Sequence, residues 1–151
     1  MDYKFATLED IEVLTSSRVE VLRAANKLSD SVDMSQVEKE SFEYYKKALA
    51  DGSHVAILVM DGDVVVGAGG ISYYTVMPTF HNPTGKKAYV MNMYTRPDYR
   101  RQGIAMKTLD LLIKDAKEKG IQEITLEATD MGKPLYEKYG FTIMKSEMEL
   151  I

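Results

Sequence analysis

Cysteine is absent from the 151 residues. A disulfide framework, a thiolate zinc site and a cysteine nucleophile are therefore all excluded. The two histidines, His54 and His81, are too few and too far apart to suggest a metal site, and no metal is expected. No stretch approaches the ~20 continuous apolar residues that a membrane-spanning helix needs. Met1-Asp2-Tyr3-Lys4 also lacks the basic, apolar and small-residue regions of a secretory signal. A cytoplasmic protein with no membrane partner is the expectation. Net charge is -4 and the isoelectric point near 5.2, which argues against a broad nucleic-acid surface and favours a cationic substrate. Internal repeats, low-complexity tracts and linkers are missing too. What remains is 45% hydrophobic residues, enough for a real core in one domain, residues 1–151.

The most informative stretch runs from Val90 to Ala105. It reads as an apolar strand, a Pro-broken loop rich in Arg, and a helix beginning at Gly103. Main-chain N–H groups in a first helical turn lack intrahelical partners and sit at the positive end of the dipole, so they bind anions. Gly103 lets a bulky ligand approach the backbone, and Ala105 keeps the next turn slim. Arg100 and Arg101 add positive charge beside those N–H groups, which suits a diphosphate better than a carboxylate. Neither G-x-x-x-x-G-K-[ST] nor G-x-G-x-x-G is present. The pattern that stands here is R-x-x-G-x-A, at Arg100, Gly103 and Ala105.

Taken along the chain, Tyr3 to Ala6 reads as a short strand, and Thr7 with Asp10 resembles a capping box opening a helix. Ile11, Leu14, Val21, Leu22 and Ala25 share one face of that helix, and Arg18 falls on it too. An Arg there either reaches water over its own stem or lines a pocket. Asn26 to Met34 is loop. Ser35 with Glu38 then reads as the capping box of a second helix carrying Val37, Phe42, Tyr45 and Leu49 inward and stopping near Gly52. Val55–Met60, Asp61-Gly62 and Val64–Ile71 form a hairpin signal with a type I′ turn, and both strands should be central. Gly67, Gly69 and Gly70 within it mark a bulge or a close neighbour. A loop from Pro78 to Lys87 carries His81, which reads as exposed. After the strand Ala88–Thr95, Ala105, Leu109, Leu112 and Ala116 recur at helical spacing, closed by Lys119 and Gly120. Ile124 to Ala128 is the next strand, parallel to the preceding one across the helix. Asp130 is placed to cap a short helix that holds Pro134 in its first turn and ends at Gly140, and Phe141 to Leu150 is expected to return as a final antiparallel strand.

R-x-x-G-x-A resembles the pyrophosphate-binding signature, Q/R-x-x-G-x-G/A, of the GNAT superfamily of N-acetyltransferases. The resemblance extends to the strand before it and to Leu135-Tyr136-Glu137-Lys138-Tyr139-Gly140-Phe141. It covers roughly the C-terminal two-thirds well and the N-terminal third in element order. It implies an α/β (α+β) fold: a mixed, mostly antiparallel central sheet with a splayed parallel strand pair, flanked by about four helices.

The resemblance also implies chemistry. Acetyl-CoA would be the acyl-donor cosubstrate, with Met93, Tyr94 and Thr95 pairing to its pantetheine arm. Arg100, Arg101, Gln102, Gly103, Ile104, Ala105 and Met106 would wrap the diphosphate. Tyr136 stands where the family places its general acid. Where some relatives carry a strand Glu as base, this strand offers Tyr89 and Asn92; Glu127, at the position another branch of the superfamily uses, is a candidate base acting through water, Asp130 is a second, and a neutral amine or a water relay would need neither. Arg18 and Asn92 are the residues expected to face the acceptor. The acceptor would be a small-molecule or peptide amine, attacked directly in a ternary complex, and a homodimer is plausible on the same resemblance. Two rivals are an idle acyl-CoA-binding or regulatory module and an acyltransferase acting on a protein N-terminus or lysine.

Overall fold

The computed structural model describes residues 1–151. In chain order it contains β1 (Asp2–Phe5), α1 (Ile11–Ala25), α2 (Ser35–Asp51), β2 (His54–Asp61), β3 (Val64–Thr75), β4 (Lys86–Thr95), α3 (Ile104–Glu118), β5 (Glu123–Leu126) and α4 (Lys133–Tyr139). The strands make one five-stranded sheet in the order β1-β2-β3-β4-β5. Every pairing is antiparallel except β4 with β5, the two strands joined through α3. No helix is long and apolar enough to cross a membrane.

Both faces of the sheet are covered, which explains the unbroken apolar run of β2. Alternate side chains of that strand point to opposite faces. Ile57 and Val59 join a large cluster with Leu109, Leu112, Ile113 and Ala116 of α3. Ala56 and Leu58 meet Leu14 of α1 and Tyr45 of α2. Leu109 and Leu112 are fully buried, each contributing about 1.5–3 kcal/mol by transfer from water. The glycines of β3 let these layers close in. A Cβ on Gly69 would lie 2.6 Å from Thr108 Cγ2 of α3, and one on Gly70 would lie 2.8 Å from His54 Nε2 on the opposite face. Both expectations for these glycines hold, since the β3–β4 register also shifts between Ala68 and Gly70.

Several local expectations are corrected. The hairpin turn has positive φ at Gly62 and not at Asp63, which fits type II′ rather than I′. The Thr7–Asp10 capping box forms, but it opens a 3₁₀ turn, Leu8–Asp10, ahead of α1. Ser35 is itself the first residue of α2, so it cannot cap it; Asp33 Oδ1 accepts the Ser35 N–H instead. Asp130 does not cap α4, because Thr129 Oγ1 takes the Gly132 N–H. Phe141 to Leu150 forms no strand. The edge strand β5, four half-buried residues, therefore pairs with β4 alone. Beyond Phe141, which packs on Tyr136 and Tyr139, side chains from Thr142 to Ile151 are exposed.

Candidate active site

β4 is paired on both sides only as far as Val90, opposite Leu126, where β5 ends. From Met91 to Thr95 it keeps β3 on one side and leaves its other edge open. A bulge marks the change: between the pairs Gly70–Met91 and Ala68–Tyr94, β4 uses one residue more than β3. Asn92 sits in the bulge with φ 59°, a left-handed conformation that non-glycine residues seldom adopt. At Arg96-Pro97 the strand stops, and a 3₁₀ turn, Pro97–Tyr99, is pinned back by Tyr99 Oη donating to Asp61 Oδ2 at 2.8 Å. Arg101 and Gly103 then take positive φ, 63° and 79°. The outcome is a run of main-chain N–H groups, from Arg101 to Met106, with no acceptor in the protein. Nothing lies within 4 Å of a Cβ built on Gly103, so its role is to supply the turn and keep the approach open.

A cleft of about 690 Å³ runs between the open edge of β4 and α4. Met93, Tyr94, Thr95, Arg100, Arg101 and Ala105 line one wall, and Leu135 and Tyr136 stand on the other. Arg100 also braces the cradle, donating from Nε to the Thr95 carbonyl at 3.2 Å. Gln102 is exposed outside the cleft, Met106 lies half-buried beyond it, and the Ile104 side chain belongs to the core. Those three can contribute main-chain groups only. Tyr136 is 8% exposed, held edge-on by Phe141. Its hydroxyl has no protein partner, and burial raises its pKa, keeping the proton on oxygen.

Past Met93 and Tyr136 the cleft continues into a cavity of about 330 Å³ between α1 and β4, which reaches Arg18, Asn92 and Glu127. Glu127 is exposed, one residue beyond the end of β5 rather than within it as the sequence suggested. A second cavity, about 320 Å³, shares Arg18, Met91 and Asn92 with the first and is floored by His54 and Ser72 under Tyr44 and Tyr45 of α2. Arg18 is half-buried and donates from Nη1 to Asn92 Oδ1 at 3.0 Å. The two acceptor-facing candidates are thus bonded to each other, 74 positions apart in the chain.

The model of the acetyltransferase (GNAT) family matches residues 22–141. This chain belongs to the GNAT acetyltransferase family. A predicted acetyltransferase from Clostridium acetobutylicum, solved with acetyl-CoA, is 34% identical with a TM-score of 0.90 over 99% of this chain and 95% of its own. A GCN5-related N-acetyltransferase from Ralstonia eutropha, 24% identical, superposes with a TM-score of 0.84 over 99% and 97% and shares the fold. Thialysine N-epsilon-acetyltransferase of Mus musculus is 34% identical over 80 residues, 53% of this chain and 44% of that protein. The match spans less than half of that relative's length.

Within this GNAT fold the second cavity holds the residues that sequence reasoning missed. His54 is 4% exposed, with Nδ1 2.9 Å from Ser72 Oγ and 3.2 Å from Tyr44 Oη. Its Nε2 is sealed against Gly70 without a partner. Burial first, and then the nearby Arg18 charge, lower its pKa to about 4, so the ring is neutral at pH 7. Tyr45 is pushed up to about 12 by burial, opposed by Arg18. The only sequence signal was a histidine heading an apolar strand. Counting back from the hairpin turn would have set His54 opposite Ile71. A bulge between Val59 and Met60 puts it opposite Ser72 instead.

Proposed function

We propose that the chain is an acetyl-CoA-dependent N-acetyltransferase acting on a primary amine. The observation that carries this reading is continuity. The unpaired N–H run at Arg101–Met106, the open edge of β4, the free Tyr136 hydroxyl and the Arg18–Asn92 cavity lie in sequence, with Met93, Thr129 and Tyr136 lining both the cleft and the cavity. The cradle fits a coenzyme A diphosphate, since its N–H groups lack acceptors and Arg100 and Arg101 lie beside them. The β4 edge at Met93, Tyr94 and Thr95 fits an extended amide-bearing arm, which would pair with it as an added strand does.

The coenzyme would supply the acetyl group as a thioester. Main-chain N–H groups of the open β4 edge polarise the thioester carbonyl. The amine nitrogen bonds to the acetyl carbon as the carbon–sulfur bond breaks, giving an amide and a free thiol. Tyr136 donates the proton that the departing sulfur takes, and its raised pKa keeps that proton available. The proton lost by the amine leaves by water, for which Glu127 at the mouth of the first cavity is the acceptor. The mouse relative is named for an N-epsilon amine, which agrees with a primary amine as acceptor.

The test is free-thiol release from acetyl-CoA across amines, polyamines, aminoglycosides and peptides. Release with any amine, accompanied by the N-acetylated product in mass spectra, is expected. Tight coenzyme binding without release for every amine would instead identify an acyl-CoA-binding module.

A further inference from the structure

Arg18 is a half-buried cation without an anion. Its one hydrogen bond goes to the neutral Asn92, and none of the ion pairs in the structure includes it. A guanidinium has five N–H donors in a rigid fork, so most of its capacity is unused. Tyr44, Tyr45, Ser72, Met91 and the uncharged His54 around it are neutral, and Glu127, which lines the cavity between α1 and β4 with it, is exposed and makes no ion pair with it. Glu40 of α2 lines the cavity over His54, but it is exposed and makes no ion pair with Arg18. Asn92 holds the fork from one side, and does so from a left-handed backbone, which asparagine adopts more readily than other non-glycine residues. The unused N–H groups of this guanidinium face the two cavities, where a ligand can supply the counter-charge that the protein does not.

Resting on the acetyl-transfer reading above, we propose that the acceptor carries a carboxylate, which docks on the Arg18 guanidinium beside Asn92 and directs its amine toward Tyr136. One carboxylate balances one guanidinium and takes two of its N–H groups in parallel. A phosphate dianion would leave a charge uncompensated, because Arg18 is the only cation lining the cavity. The two cavities that share Arg18, Met91 and Asn92, about 320 and 330 Å³, suit a small amino acid. The acidic balance of the whole chain does not oppose this, since such an acceptor brings a cationic amine as well as an anion.

The test compares matched substrates that differ by one carboxylate: lysine with cadaverine, ornithine with putrescine, and ω-amino acids with their alkylamines. Thiol release is followed with the full-length protein and with Arg18→Gln. The wild-type protein should favour the acid of each pair at least tenfold in kcat/KM, through KM. Arg18→Gln should erase that preference, and Arg18→Lys should restore part of it. Equal use of acid and amine, or a preference that survives in Arg18→Gln, overturns the carboxylate site while leaving acetyl transfer standing. A preference for phosphoethanolamine over the amino acids overturns it too. Calorimetric titration of 6-acetamidohexanoate into the coenzyme A-loaded protein needs no turnover. Binding that weakens at least tenfold in Arg18→Gln supports the site even if no amine releases thiol, and binding that is undetectable or unchanged in Arg18→Gln refutes it.

Discussion

His54 makes the stability of this protein depend on pH in a window where few other groups titrate. Its pKa is about 4 in the folded chain, against 6.5 for an unperturbed histidine. Between these values the unfolded chain binds a proton that the folded chain refuses, so stability rises with pH. It is fully present above about pH 6.5 and is lost as pH falls toward 4. Integrating that difference from pH 7.5 down to pH 5 gives a loss of about 2 kcal/mol from this one side chain. The assay is urea unfolding at half-unit steps through that range, for the wild-type protein and for His54→Gln. The variant is expected to start less stable, because Ser72 and Tyr44 lose a ring nitrogen. The informative quantity is the slope, which a purely structural role would not change. Carboxylates held low by hydrogen bonds, such as Asp10 and Asp33, contribute equally to both proteins and mostly below this window. Parallel curves for the two proteins above pH 5, or an imidazole NMR titration near 6.5, would refute the reasoning.

Other perturbations test the cradle, the acid and the packing. Tyr136→Phe should lower kcat about 10²-fold or more while leaving coenzyme affinity within a few-fold, the range for losing a general acid; unchanged turnover would remove Tyr136 from that role. Gly103→Glu places a carboxylate in a left-handed position beside the unpaired N–H groups. It should abolish the roughly 2.7 kcal/mol of stabilisation that a ligand confers at 100 times its dissociation constant, read as a thermal shift with coenzyme A. Gly70→Ala sets a methyl 2.8 Å from His54 Nε2, so it should cost about 1–3 kcal/mol of stability as overpacking does and shift the His54 ring resonances. Leu112→Ala, deep between α3 and the sheet, should cost about 2–5 kcal/mol in chemical denaturation.

What the sequence determined by itself is local backbone and periodicity. R-x-x-G-x-A encodes a helix start with free N–H groups wherever the rest of the chain lies, because a left-handed glycine and orphan donors are properties of a few consecutive residues. The α3 stripe, the paired strands β2 and β3 and the stop at Gly52 were legible for the same reason. The tertiary structure alone decided which distant side chains meet. One bulge turns His54 from Ile71 to Ser72, another twists Asn92 into the reach of Arg18, and each depends on packing that no local pattern records. Phe141 to Leu150 shows the converse: residues that read as a strand stay unpaired and, beyond Phe141, exposed, because strand pairing needs a partner edge that local alternation does not specify. The run of unpaired N–H groups is therefore written in the chain. The cavity over His54, with its neutral histidine and its lone cation, exists only once α1 and α2 have packed on the sheet.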